Sequence, residues 1–454
     1  MATKVLQQKR GLTAMLMVLS AAASGCGSES GTPSAAAGTT SSAGGNASSG
    51  AGAGMANAGA AVGGAASGGT PNGGGVGVGG AKGGASASAG SGGSAGSGGL
   101  VPFEPPKCAD GSSTALPATA PKLTAGMFVN ISPPGVPFDS NATAITQGMT
   151  IDPCNPATIY VCVGDAEHGI YRSTDGGGNW TKLDHGGGFP VRVRVDPQDP
   201  LHLYVGDGVR GGNNGFFYST DGGKTWTLPQ GFKDFADEGG SYDVYHVEPD
   251  PTDFKHVLLS FHSAWKGENQ NGVIESFDAG LSWQKAKLSG AGAGDGTDVY
   301  FLYEPKQGIG DAKTWLFATQ ANGHWRTTDS GDTWTKVTDV SMQHGGGAKY
   351  YAAGGVLYIS SAQGVLKSTN NGQSFEKIGL NKAYLSIIGD GTRLITGQHF
   401  NSRFVTALES NDLEWTDFNT QDFDEGPFEM AIDSVNGILY SANIRAGVYA
   451  LKLK

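Results

Sequence analysis

One eight-residue pattern recurs between residues 173 and 415 and limits the fold of the chain more than any other feature. Ser173-Thr-Asp175-Gly-Gly-Gly-Asn-Trp180 returns as Ser219-Thr-Asp221-Gly-Gly-Lys-Thr-Trp226. It returns again as Ser276-Phe-Asp278-Ala-Gly280-Leu-Ser-Trp283 and as Thr327-Thr-Asp329-Ser-Gly331-Asp-Thr-Trp334. Ser368-Thr-Asn370-Asn-Gly372-Gln-Ser-Phe375 is a weaker copy, and Ser410-Asn-Asp412-Leu-Glu-Trp415 a decayed one. Successive third positions lie 41 to 57 residues apart. With strand-like runs on both sides, a period of that length means a propeller or a solenoid. The residue types have a local reason. Ser and Asp oxygens satisfy backbone N–H groups inside a tight turn, Gly takes the positive φ, and Trp buries a large ring between neighbouring sheets.

The pattern S-x-D-x-G-x-x-W resembles the Asp-box, the bacterial neuraminidase repeat. The resemblance implies a structural hairpin between the third and fourth strands of a propeller blade, not a catalytic motif. The flanks fit that plan. Val191–Val195 reads as an inner strand, Asp196-Pro197 as a turn, His202–Val205 as a second strand and Phe216–Ser219 as a third. Ile151-Asp152-Pro153, Val247-Glu248-Pro249 and Tyr303-Glu304-Pro305 close inner strands in the same way, and later blades begin near Lys349, Leu385 and Met430. The last, Met430–Lys454, offers three strands and no box, while Met127–Ser132 stands alone ahead of the first blade. The expected fold is all-β: a single seven-bladed β-propeller, with six blades as the alternative, closed by the N-terminal strand.

Composition divides the chain. All 41 aromatic residues lie at or after Phe103, so the segment before it cannot build a packed core. Lys4, Lys9 and Arg10 precede the apolar run Gly11–Ala23, which is too short to span a bilayer, and Ala23-Ser24-Gly25 leads to Cys26. This resembles a bacterial lipoprotein signal, with Ala where the usual Leu stands. It implies a signal peptide over 1–25, lipidation of Cys26, and an envelope or cell-surface location. Residues 26–100 have the Gly/Ala/Ser composition of a flexible tether, 101–123 form a lead-in, and 124–454 the propeller. Membrane association is expected through the lipid alone. The net charge of −11 falls on the body, since the first hundred residues are net basic, which argues against nucleic acid. Cys154 and Cys162 stand too close along one hairpin arm to pair easily, leaving Cys108 with either as the disulfide. No cofactor motif or metal-ligand spacing occurs, and a monomer is expected.

In this plan the boxes and Asp-Pro turns share one face. The opposite face gathers the second-to-third strand loops around the channel, where a ligand would sit. Those loops and connections carry Asp165 and His168; Asp207, Arg210, Asn213 and Asn214; Tyr242 and Asp243; His262, Trp265, Lys266 and Glu268; His344; His399 and Arg403; and Arg445. Carboxylates, imidazoles, guanidiniums and an aromatic converging on one rim suit a sugar polymer. Arg192, Arg194 and His246 lie on inner strands, where channel waters would bind them.

Families sharing the box include sialidases, xyloglucan-hydrolysing endoglucanases, sortilin-type receptors and photosystem assembly factors. A sialidase is not expected, because its Arg-Ile-Pro segment and arginine triad are missing. Xyloglucanases set their acid and base on two propellers, and one ring cannot carry that pair. The leading expectation is an enzyme of the glycoside hydrolase type on extracellular polysaccharide, with its carboxyl pair drawn from Asp165, Asp207, Asp243 and Glu268. A polysaccharide lyase is the alternative, with Arg210 or Arg403 neutralising a uronate and His262, His344 or Tyr242 abstracting its proton. Residues Asn213, Asn214, Trp265, Lys266, His399, Arg403 and Arg445 would bind substrate. A non-catalytic glycan or protein binder is the third reading.

Overall fold

Most inner strands end where an acidic side chain folds back on the backbone. Asp196 Oδ1 accepts from the Gln198 amide at 2.8 Å, and Asp152, Asp250 and Asp433 accept from Cys154, Thr252 and Asn436 in the same way. Such Asx turns satisfy the amide two or three residues on. The computed structural model describes residues 115–138, 144–210 and 212–453. The proposed signal peptide, Cys26, Cys108 and the tether lie outside the described residues.

Seven sheets follow one another along the chain and form seven blades in a ring. Their inner strands are Ala144–Asp152, Pro190–Val195, Val244–Pro249, Thr297–Phe301, Lys349–Tyr351, Tyr384–Gly389 and Pro427–Asp433. Blade seven has three strands from the C-terminus, ending with Gly447–Lys452, and takes its outermost from Phe128–Asn130. Phe128 pairs with Leu451 and Asn130 with Tyr449, so the two ends of the ring are stitched within one sheet. Seven blades and closure by the N-terminal strand agree with the sequence.

Two segments depart from it. Blade two has three regular strands, and its fourth is cut to a single bridge, Tyr218 to Thr227. Pro229 then removes a donor, and Gln230–Asp237, read from sequence as connection, is a helix burying Phe232 and Ala236. In blade six the decayed box forms no box. Leu408 pairs with Asn411 in a tight hairpin, and Asp412 accepts instead from Tyr358 and Lys367 of blade five.

Elsewhere the boxes close as their residue types require. Ser173 Oγ donates to Asp175 Oδ1 at 2.9 Å and accepts from the Gly177 amide at 2.8 Å, while Asp175 accepts from the Asn179 amide at 2.8 Å. The same bonds recur at Ser219, Ser276, Thr327 and Ser368. The Trp rings enter the seams between blades, where Trp283 meets Phe216 edge-on at 5.3 Å. Cys154 is disulfide-bonded, and Cys162 is a buried free thiol.

Candidate functional site

The inner strands start on the loop face, where their first residues crowd the axis. Ile145, Phe189, Tyr245, Met342, Leu385, Phe428 and Ile444 form one buried apolar cluster. A strap from the connection between blades four and five passes through it. The Gly345 amide donates to Tyr245 Oη at 2.7 Å, and the Gly347 amide to Asp298 Oδ2 at 2.7 Å. A Cβ on Gly346, whose φ is +106°, would stand 2.5 Å from Arg192 Nη2. The triple-glycine run therefore lets the backbone reach the axis, and the mouth has a floor. Gly345, Gly346 and Gly347 played no part in the sequence reading; the run itself was the available signal.

Polar groups from six blades stand on this floor. Arg210 pairs with Asp165 at 2.6 Å and lies over the Phe189 ring at 5.7 Å. His262 Nδ1 lies 3.2 Å from Asp243 Oδ2, and the His262 ring is 5.1 Å from Tyr245 and 5.9 Å from His344. His344 Nδ1 meets Gln320 Oε1 at 3.2 Å, and His399 Nδ1 meets Gln343 Nε2 at 3.0 Å. Arg445 pairs with Glu425 at 2.6 Å. Gln320 and Gln343 thus join the rim without having been singled out as site residues, beside Glu425, one of the acidic residues that precede the last blade in sequence.

Charge on the rim follows from these contacts. Burial pushes Asp243 up, but His262 and the Val209 amide outweigh it and hold the carboxyl below its usual range. Burial, reinforced by His262, lowers His344, and burial with the neighbouring His344 and Arg445 brings His399 to about 4. Both imidazoles are neutral at pH 7. Asp243 fixes the proton of His262 on Nδ1 and leaves Nε2 as a base.

Other expected site residues stand apart from the mouth. Asp207 is completely buried, its carboxylate 2.9 Å from His185 Nε2, and burial raises its pKa. Trp265 is core, packed on Phe235 and Phe261, with Lys285 rather than a sugar against its ring at 4.3 Å. Glu268 pairs with Lys285, and Lys266 is exposed beside it. Arg403 is held by Asp417 and Asp422 on the outer hairpin of blade six. His168 is exposed in the turn that follows Asp165. Asn213, Asn214 and Tyr242 line a neighbouring groove with Gly186, Phe217 and Leu228.

On the box face the axis opens into a cavity of about 340 Å³ lined by residues of all seven blades. Arg194 pairs there with Glu429 at 3.0 Å and Lys349 with Glu248 at 2.5 Å. Burial raises Glu248, but Lys349 and His246 override it and bring the carboxyl to about 2.

The BNR/Asp-box repeat family matches the chain over residues 217–228, the second box with its flanks. No curated protein matches it in sequence. Among solved structures, YCF48 from Cyanidioschyzon merolae is similar at 12% identity and a TM-score of 0.50, covering 73% of this chain and 99% of its own. The GH74 xyloglucanase from Xanthomonas campestris is similar at 14% identity and a TM-score of 0.49, over 72% of this chain. This chain covers 53% of that enzyme, about half its length. These likenesses concern fold. Repeat, box geometry and seven sheets in a ring together make the molecule a seven-bladed β-propeller with Asp-box hairpins, one of which matches the BNR/Asp-box repeat.

Proposed function

We propose that this protein takes an extracellular polysaccharide bearing uronates at the mouth of its propeller and cleaves it by elimination. The observation that carries the reading is the Asp243–His262 pair, set between Arg210 and His344 above a closed apolar floor. In this reaction Arg210, about half exposed and so able to leave Asp165, neutralises the uronate carboxylate. His262 Nε2 removes the C5 proton, the freed electron pair forms the C4–C5 double bond, and the C4–O bond breaks with its pair leaving on the glycosidic oxygen. The imidazolium returns its proton to that oxygen. Hydrolysis fits three of the four named carboxylates less well: Asp207 is sealed, Glu268 stands apart, and Asp243 is held ionised. One observation favours it. Burial raises Glu425, on the rim against Arg445, toward the range of a general acid.

The test is digestion of uronate polymers, read by the ultraviolet absorbance of a 4,5-unsaturated product. His262→Ala is expected to abolish it with the circular dichroism unchanged, and Asp243→Asn to slow it at least about a hundredfold. New reducing ends without absorbance would replace elimination by hydrolysis. Binding without either signal would leave a glycan-binding module. The N-terminal sequence supports export and a lipid anchor: labelled palmitate should enter the full chain and not Cys26→Ala, and labelling of both would sink the anchor.

A further inference from the structure

The groove beside the mouth exists because blade two lacks a regular outer strand. Among the described residues this is the one blade of three strands, and after Thr227 the chain leaves the sheet for the helix Gln230–Asp237. The uncovered end of Gly215–Ser219 borders a hollow of about 560 Å³. Its lining is Gly186, Asn213, Asn214, Phe217, Leu228 and Tyr242, and none of the six carries a charge. Two short links join it to the mouth. The loop 208–214 sends Arg210 to Asp165 on one side and places Asn213 and Asn214 in the groove on the other. Tyr242 precedes Asp243, whose carboxylate accepts from the Val209 amide of that same loop and faces His262. The Tyr242 ring is held edge-on to Phe232 at 6.1 Å, and its hydroxyl donates to Asp237 at 2.8 Å, so its position is fixed.

A fixed tyrosine ring, an apolar floor and two amides at the edge suit an uncharged sugar: the ring takes the C–H face and the amides take hydroxyls. A carboxylate there would meet no cation among the lining residues and would lose its hydration. The mouth differs, offering Arg210 beside the Asp243–His262 pair. We infer that this groove is a second sugar subsite, for a neutral unit adjoining the uronate in the mouth, so that the polymer taken is a mixed one and not a run of uronates. The inference rests on the proposed reading of the mouth.

Binding is measured by calorimetry on the full chain carrying His262→Ala, which cannot turn the polymer over. The probes are two all-uronate polymers, polygalacturonate and alginate, and two mixed ones, hyaluronan and rhamnogalacturonan I. At least one mixed polymer is expected to bind about tenfold more tightly than either all-uronate polymer. Tyr242→Ala should erase that preference, and Tyr242→Phe, which keeps the ring, should retain it. Asn213→Ala, on the exposed loop, should weaken the mixed polymer alone and guards against misfolding of the tyrosine variant. Equal binding of all four polymers, or a preference untouched by Tyr242→Ala and Asn213→Ala, overturns the subsite and leaves the mouth standing. If none of the four binds, the mouth reading falls and this inference falls with it.

Discussion

His256 shows how far a single side chain in this fold can be moved from its solution behaviour. It is buried between Asp250 and Glu275, 2.9 Å from each, and stacks on Phe277 at 4.5 Å. Burial alone would lower its pKa, but the two carboxylates outweigh burial and raise it to about 9. A raised histidine stabilises the fold fully below its unfolded value near 6.5, and that contribution disappears as pH climbs through 9. Thermal or urea unfolding should therefore show a loss of roughly 2 kcal/mol between pH 6.5 and 9. His256→Gln should be less stable at pH 6 and nearly flat across that interval. A wild-type curve as flat as that of the variant would mean the imidazole is neutral in the folded state. Glu248 runs the other way: lowered to about 2 with Lys349 beside it, it stabilises above pH 4.3 and ceases to do so as pH falls toward 2.

At the level of elements, five boxes are hairpins whose first and third residues work as a unit, and the sixth is a hairpin of another kind. Ser173 and Asp175 bond to each other and share the turn's amides. Ser173→Ala and Asp175→Ala should each cost roughly 1–2 kcal/mol, and the double variant less than their sum. Asp412 stands at the third position of the decayed copy but bonds to Tyr358 and Lys367. Its energetic partner should be Tyr358, tested by Tyr358→Phe, and not Ser410; coupling of Asp412 to Ser410 would show that a box forms there. The contrast marks what the sequence conveys. Ser, Asp, Gly and Trp at fixed spacing report a local turn, so five boxes and seven blades could be read from them. The partners of Asp412, Asp207 and Trp265 come from segments far along the chain or from burial that no local pattern encodes. For that reason Asp207 read as a rim acid and Trp265 as a sugar platform. The mouth was legible as a collection because loop residues of successive blades must share a face; its floor was not, because three glycines give no hint of the depth they reach.

For the whole molecule, a ring of blades leaves only short, protected edges while its two ends hold together. The N-terminal strand supplies that hold through three register pairs and through Phe128, which packs on Phe404 at 4.9 Å, Phe423 at 5.4 Å and Tyr449 at 6.2 Å. The lead-in strengthens the seal: the Gly126 amide donates to the Lys452 carbonyl, and Trp180 of the first box donates to the Ile131 carbonyl at 2.7 Å. This short stretch of chain adds to the direct bonds between blades one and seven, where Thr146 donates to the Asn443 and Ile444 carbonyls and the Met149 amide to Glu429, and the mouth draws Asp165 from the first of these blades and Arg445 from the last. Phe128→Ala should cost about 3 kcal/mol through lost ring packing. Val129→Pro should do something further. Val129 pairs with Ala450, so the substitution breaks the last ladder, exposes the edge of Gly447–Lys452 and invites pairing between copies. Size-exclusion chromatography of the full chain should show association in Val129→Pro and not in Phe128→Ala, with unfolding temperatures lowered in both. A Val129→Pro protein that stays monomeric at the wild-type unfolding temperature would mean that the direct contacts between blades one and seven close the ring without this ladder.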